Sequence, residues 1–354
     1  MASSSARDTI HWGILGCGDV CEVKSGPGLQ RARGSKLVAV MRRNGALAAD
    51  FARRHGVPRW YDDARALVND PEVDAVYIAT PPGSHLEGVQ LAAAAGKPVY
   101  VEKPMARSAR ECDAMIAAGA AAGQKLFVAF YRRGLPRFVK VKELLANGAI
   151  GRLTGMQHRL ASLGHAGTGV VAHGGPPQPQ WRTNVVVSGG GLLLDLGSHA
   201  LDLLDFYGGP LQAVHGHAAR LATADEVEDT VALSFRTSEG VPGSATYNFA
   251  SHAKEDVMTL SGDAGRISFS VFGHEPVRLE TARAVEEFTF DPPPHIAQPL
   301  IQTVVDDLLG RGTCPSTGAT ARRTSAVIDA VLAEYYGGRD DEFWQRPETW
   351  PGRR

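Results

Sequence analysis

The chain has 354 residues, 44% hydrophobic and 21% charged, with a formal net charge of −1. That length allows two domains with sizeable cores. The near-zero charge supplies no global field to attract nucleic acid or an anionic membrane, and no apolar run reaches the roughly 18 residues of a membrane-spanning helix. The N-terminal MASSSARDTI holds no apolar segment of signal-peptide length, so cytoplasmic residence is expected. The four cysteines, Cys17, Cys21, Cys112 and Cys314, are scattered. Their spacing suggests neither a zinc site nor a disulfide framework, and no metal is expected.

In chain order, residues 11–17 (HWGILGC), 36–41 (KLVAVM), 75–80 (AVYIAT), 98–103 (PVYVEK) and 125–130 (KLFVAF) read as strands. Alanine-rich helical stretches separate them at 46–55, 62–68, 85–95 and 108–122. Near-continuous apolar strands alternating with helices predict a doubly wound parallel sheet covered on both faces. After residue 130 the texture changes. A helix is expected at 135–147, then a turn and strand, then a Gly/Pro-rich stretch at 164–180. Beyond residue 210, seven short strands are expected at 212–221, 230–236, 241–249, 257–261, 266–270, 277–280 and 286–290. Their close spacing predicts an α/β domain with an open, mostly antiparallel sheet. Helices at 296–309 and 319–336 close the pattern. The expected division is a first, parallel-sheet domain at 1–130, a second domain at 131–340 and a tail at 341–354.

The first strand runs directly into Gly16-Cys17-Gly18-Asp19-Val20-Cys21. In this position Gly16 permits a tight turn, and Gly18 lets the backbone approach a pyrophosphate held at a helix N-terminus, with Asp19 and Val20 following. Cys21 takes the place of the usual third Gly or Ala and is still small. The second strand ends in Arg42-Arg43, and no acid occurs between Gly34 and Ala49. NAD sites place an acid here for the ribose 2′-hydroxyl, whereas arginine suits the 2′-phosphate of NADP. NADP is therefore favoured, with NAD possible; the alternative for Arg42 and Arg43 is a solvated loop. The third strand ends in Thr80-Pro81-Pro82-Gly83-Ser84-His85, at the sheet edge where ligands bind. His85 there either lines the cofactor or caps the next helix.

The fourth strand ends in Glu102-Lys103-Pro104, at that same edge. The Lys103 ammonium could polarise a hydroxyl or carbonyl there, or be merely solvated. Further on, GGGLLLDLGSHALD places Asp195 and His199 four residues apart behind Gly189, Gly190 and Gly191. On an α-helix that spacing shares a face, so the carboxylate could orient the imidazole for acid/base work; a structural surface pair is the alternative.

The ordered set of a GxG loop, TPP with His85, EKP and DLGSH resembles the Gfo/Idh/MocA family of oxidoreductases, across about residues 12–336. The resemblance implies that Lys103, Asp195 and His199 match the family's catalytic Lys, Asp and His. It implies a C-terminal sheet that often forms a homodimer or homotetramer interface, and a substrate-facing segment at Tyr131 and Arg132 after the fifth strand. The residues Trp181 and Arg182 add an aromatic face and a guanidinium fork suited to a sugar. The plainer readings are that Tyr131 is interface core and that Arg182 pairs with an acid. His165 and His173 are expected to be solvent-exposed. The expected activity is hydride transfer between NAD(P) and a hydroxyl or carbonyl of a sugar, polyol or small cyclic compound. His199 would act as base, Asp195 would orient it or bind a neighbouring hydroxyl, and Lys103 would hold the reacting oxygen. Two other readings stand beside it: an NAD-retaining glycoside hydrolase, disfavoured by Arg42, and a non-catalytic cofactor sensor, which would not need the three catalytic residues.

Overall fold

The computed structural model describes residues 8–162 and 181–353, which form two compact units. The first unit comprises Met1–Ala106, Glu111–Leu135 and Pro292–Ala321. Its strands are β1 (Ile10–Leu15), β2 (Ser35–Met41), β3 (Arg59–Tyr61), β4 (Ala75–Ile78), β5 (Val99–Val101) and β6 (Leu126–Val128). They pair in parallel in the order β3-β2-β1-β4-β5-β6, the order expected for a dinucleotide-binding sheet. The helices up to residue 121 are α1 (Asp19–Val23), α2 (Ser25–Arg31), α3 (Gly45–His55), α4 (Ala64–Val68), α5 (His85–Ala94) and α6 (Ala109–Ala121). Asn44 caps α3 by accepting from the Leu47 amide, and Gly56 ends it in the left-handed region.

Two elements of the first unit escaped the sequence reading. The edge strand β3 is three residues long and only partly buried, too short and polar to show a period. Helix α2, SGPGLQR, contains two glycines and a proline, which argue against a helix locally. Tertiary packing overrides them: Leu29 is fully buried in the core with Trp12, Ile14 and Phe51.

The domain boundaries also differ from expectation. The second unit takes Arg107–Arg110, Pro136–Asp291 and Arg322–Arg354, so Pro292–Ala321 leaves the expected 131–340 block. The reason is an apolar stripe on a late helix. The remaining helices are α7 (Pro136–Ala146), α8 (Val185–Ser188), α9 (Ser198–Gly208), α10 (Gln298–Leu308) and α11 (Gly318–Tyr336), of which α10 belongs to the first unit. Leu300, Ile301, Val304 and Val305 of α10 join the core under β1. Gln302 locks the helix there by accepting from the Arg33 amide at 2.8 Å and donating to its carbonyl at 3.1 Å. Nor is 341–354 a loose tail. Phe343, Trp344 and Trp350 are buried, and the Trp350 indole donates to the Phe343 carbonyl at 2.9 Å.

The second unit carries an eight-stranded sheet of β7 (Leu153–Ala161), β8 (Leu211–Ala219), β9 (Thr230–Thr237), β10 (Pro242–Asn248), β11 (Glu255–Gly262), β12 (Gly265–Phe269), β13 (Val277–Thr281) and β14 (Val285–Phe288). The order is β14-β13-β12-β11-β7-β10-β9-β8, and all pairs are antiparallel except β7 with β10. Strand β9 alternates buried and exposed residues along its length, so one face meets the core and the other is open.

Asp256 on β11 braces this unit. Its carboxylate accepts from Ser270 Oγ at 2.5 Å and from the amides of Val271 at 3.1 Å and Phe272 at 2.6 Å, and lies 3.2 Å from His158 Nε2. Burial alone would raise its pKa, but the bonds from His158, Ser270 and Phe272 outweigh burial and hold it at about 2. A lowered carboxylate stabilises the fold above its unfolded value near 4, and that contribution disappears as pH falls through about 2. Asp256→Asn is therefore expected to lose about 2 kcal/mol of stability at pH 7. The deficit should narrow as pH drops from 4 towards 2; urea denaturation at stepped pH measures it, and a pH-independent deficit would refute the linkage.

Candidate active site

The nucleotide end of the first sheet is built around the Met41 carbonyl at the end of β2. It accepts from the amides of Gly16 at 2.9 Å and Cys17 at 3.1 Å, which ties the glycine loop to the strand that leads into Arg42. Gly16 adopts φ +85°, and a Cβ there would lie 2.7 Å from Thr80 Cγ2. Only glycine satisfies both constraints. Gly18 is different: a Cβ there would meet only the Gly16 carbonyl oxygen, at 3.9 Å, so the backbone faces open space. The buried Thr80 Oγ1 finds no hydrogen-bond partner among the described residues. A bare backbone cradle beside an unspent hydroxyl fits a dinucleotide phosphate group.

Asp19 is exposed in the first turn of α1, and Val20 packs partly against the core. Helix α1 is only five residues long, and α2 follows it almost at once. Cys21 is fully buried, and burial raises its thiol pKa. Burial likewise pushes the Cys17 thiol up to about 11, although the nearby Arg42 charge opposes it. Arg42 is half-buried and its amide donates to the Tyr61 carbonyl at 3.2 Å, while Arg43 is exposed.

Beside this loop, Pro81 is exposed and Pro82 is buried, opening a short 3₁₀ turn before α5. His85 is fully buried, with Nε2 2.7 Å from the Thr80 carbonyl oxygen and Nδ1 3.0 Å from that of Met105. Both ring nitrogens are thus occupied by backbone. The ring lies between two strand ends. The Glu102 carboxylate is also engaged within the protein, accepting from Tyr77 Oη at 2.5 Å and the Lys103 amide at 3.2 Å. Desolvation is the largest influence on Glu102 and raises its pKa, against the Tyr77 bond and the Lys103 charge. Lys103 is partly exposed at the end of β5, one strand from Thr80.

Tyr131 and Arg132 lie in a 3₁₀ turn, Tyr131–Gly134, after β6. Tyr131 packs against the first core, and the buried Arg132 guanidinium sits 4.9 Å from its ring centroid. The core reading of Tyr131 is thus observed in part.

In the second unit, Asp195 and His199 do not share a plain α-helix. Leu193–Gly197 forms a π-helical turn that runs into α9, with Asp195 inside it and His199 in the first turn of α9. Single π turns inside helices are rare and recur at functional sites. The spacing of four thus crosses a π turn and does not lie along a plain α-helix. Arg182 donates from Nε to Asp195 Oδ2 at 2.9 Å, the acid pairing that the sequence held open. The guanidinium also lies 4.7 Å from the Trp181 ring centroid. His199 is buried, its ring edge-on to Phe272 at 6.2 Å.

The glycines before this turn are held in place. Gly189 has φ +86°, and a Cβ there would lie 2.7 Å from Arg107 Cα. Arg339 donates to the Gly189 carbonyl at 2.8 Å, and the Gly191 amide donates to Glu228 at 3.0 Å. Glu228 also accepts from Tyr336 Oη at 2.6 Å, and burial raises its carboxyl pKa.

Comparison with known proteins settles the lineage. Residues 10–130 match the model of the oxidoreductase family with an NAD-binding Rossmann fold, GFO_IDH_MocA, and residues 138–268 match the GFO/IDH/MocA C-terminal domain. Oxidoreductase P35 of Formosa agariphila is 35% identical over 90% of this chain and 97% of its own. The chain belongs to the Gfo/Idh/MocA oxidoreductase family. A 1,5-anhydro-D-fructose reductase of Ensifer adhaerens is 30% identical over 78% of this chain and 80% of its own. The aldose-aldose oxidoreductase of Caulobacter crescentus, solved with glycerol, shares the fold with a TM-score of 0.80 at 23% identity, covering 94% of this chain and 98% of that one.

As a Gfo/Idh/MocA oxidoreductase, the protein has the fold that the motifs implied. Lys103, Tyr131 and Arg132 fall in the first unit, whereas Trp181, Arg182, Asp195 and His199 fall in the second. His165 and His173 lie outside the described residues. The sequence reading missed Glu228, Arg339 and Phe272. Each acts over a long sequence separation, and as isolated residues none carries a local pattern. Among the described residues no helix is long and apolar enough to cross a membrane, and no group of three His, Cys, Asp or Glu could hold a metal.

Proposed function

We propose that this oxidoreductase interconverts a hydroxyl and a carbonyl on a sugar, polyol or similar cyclic compound, using NADP in preference to NAD. The observation that carries the reading is the meeting, on one sheet edge, of the glycine cradle under Thr80 and the lysine that ends β5. The family match and the sugar-directed names of its relatives support the substrate class.

Gly16 and Gly18 would let the pyrophosphate approach the backbone, and the Asp19 and Val20 amides at the start of α1 would hold it, with Thr80, Pro81 and Pro82 shaping the neighbouring wall. The Arg42 guanidinium, with Arg43 beside it, would grip a 2′-phosphate. When bound, the nicotinamide supplies hydride acceptance or donation. In oxidation, His199 would take the hydroxyl proton and Lys103 would donate a hydrogen bond to the same oxygen, favouring its developing negative charge. In reduction His199 would return the proton. Arg182 would hold the Asp195 carboxylate fixed, so that Asp195 could accept from a neighbouring substrate hydroxyl. Tyr131, Arg132 and Trp181 would supply flat surfaces and donors for a sugar ring.

The open face of the second sheet supports assembly as a homodimer or homotetramer, which light scattering of the purified protein would measure. Four buried, unbridged cysteines accord with a cytoplasmic location. The deciding experiment is cofactor-coupled turnover over aldoses, polyols, anhydro sugars and lactones, with NADP and NAD in both directions. NADP-preferring turnover on one of these classes supports the proposal. Dinucleotide binding without turnover on any of them overturns it.

A further inference from the structure

His85 carries no assigned role once both of its nitrogens are seen to face the protein. It sits at the start of α5, yet its ring reaches two other segments. One is the carbonyl of Thr80, whose methyl defines the tight approach over Gly16. The other is the carbonyl of Met105, two residues past Lys103. The ring is fully buried, so water does not compete for either contact. A single imidazole thus bridges the ends of β4 and β5, one bearing the nucleotide wall and the other the lysine.

We propose that His85 is a positioning residue that sets Lys103 against the nucleotide loop by clasping the Thr80 and Met105 carbonyls on one ring. The proposal rests on Lys103 acting at the reacting oxygen. Burial is the largest influence on the imidazole and lowers its pKa, while the facing Thr80 and Met105 carbonyls act in the opposite direction. Each ring nitrogen lies within hydrogen-bond distance of one carbonyl oxygen and donates to it when it carries a proton, so the ring ties to one segment or both from a single fixed position. Neither a phenyl ring, which has volume but no donor, nor a flexible amide reproduces the clasp. Because catalysis by a placed ammonium depends on sub-ångström geometry, a small shift of the Lys103 segment affects turnover far more than it affects ground-state binding.

The test compares wild type, His85→Phe, His85→Gln and Lys103→Ala as full-length proteins. Three quantities are measured: dinucleotide Kd, kcat and KM on the best substrate from the panel, and the rate at which Lys103 is acylated by a small amine-reactive ester without substrate. For His85→Phe, kcat is expected to fall about 10–100-fold with KM within about threefold, and the Lys103 acylation rate is expected to change at least about threefold. His85→Gln keeps one amide donor and should recover part of both. If a folded His85→Phe retains wild-type kcat and Lys103 reactivity, the inference is overturned. Should His85→Phe fail to fold, His85→Gln decides by the same two readouts. If Lys103→Ala keeps turnover, the catalytic role of Lys103 is what fails, and the acylation comparison still decides the role of His85.

Discussion

Replacing His199 by alanine is expected to lower kcat about 10²–10⁴-fold while leaving dinucleotide affinity within about twofold. The argument starts from the residue type: imidazole is the side chain whose ordinary pKa lies closest to neutral. Its setting sharpens the role. His199 follows a π turn, is buried, and stands edge-on to Phe272, whose amide is pinned by Asp256. A ring held on a helix and packed against an aromatic can adopt few orientations. Loss of the ring removes the proton acceptor without touching the glycine loop, which belongs to the other unit. Lys103→Ala should show the same split between turnover and affinity. Steady-state kinetics paired with fluorescence titration of the dinucleotide measures both. Near-normal turnover in His199→Ala would remove His199 from the proton-transfer role.

Arg42→Asp is expected to reverse dinucleotide preference, with the NADP:NAD ratio of kcat/KM falling by about 100-fold or more. A hydrogen bond to a charged group contributes about 1.5–3 kcal/mol, and a carboxylate in its place repels the 2′-phosphate while accepting from a ribose hydroxyl. The position suits this exchange. Arg42 follows the Met41 carbonyl that gathers the Gly16 and Cys17 amides, so its side chain leaves the backbone beside the nucleotide loop. Arg43 is exposed and its loss should have a smaller effect. Parallel kinetics with the two cofactors checks the outcome, and an unchanged ratio would show that Arg42 does not read the 2′-position.

Much of this was legible in the residues themselves. Continuous apolar strands followed by alanine-rich helices announce a parallel sheet, because a strand buried on both faces must be apolar throughout. The same sequence of motifs located the glycine loop, Lys103, Asp195 and His199. Local pattern failed where local chemistry and the final environment disagree. Helix α2 forms despite its glycines and proline because Leu29 is buried in the core. Edge strand β3 is too short to show a period.

The sequence by itself determined the strand and helix types, the nucleotide loop and the family, since each depends on residues close together along the chain. Tertiary structure alone decided the partners. It set the His85 ring between the Thr80 and Met105 carbonyls, gave the Asp195 carboxylate to Arg182, and drew Pro292–Ala321 into the first unit. It also buried Phe343 and Trp350 of the expected tail. The physical reason is common to all four: a buried hydrogen bond or apolar stripe is satisfied by whatever group the fold brings within a few ångströms, and sequence spacing carries no record of that distance.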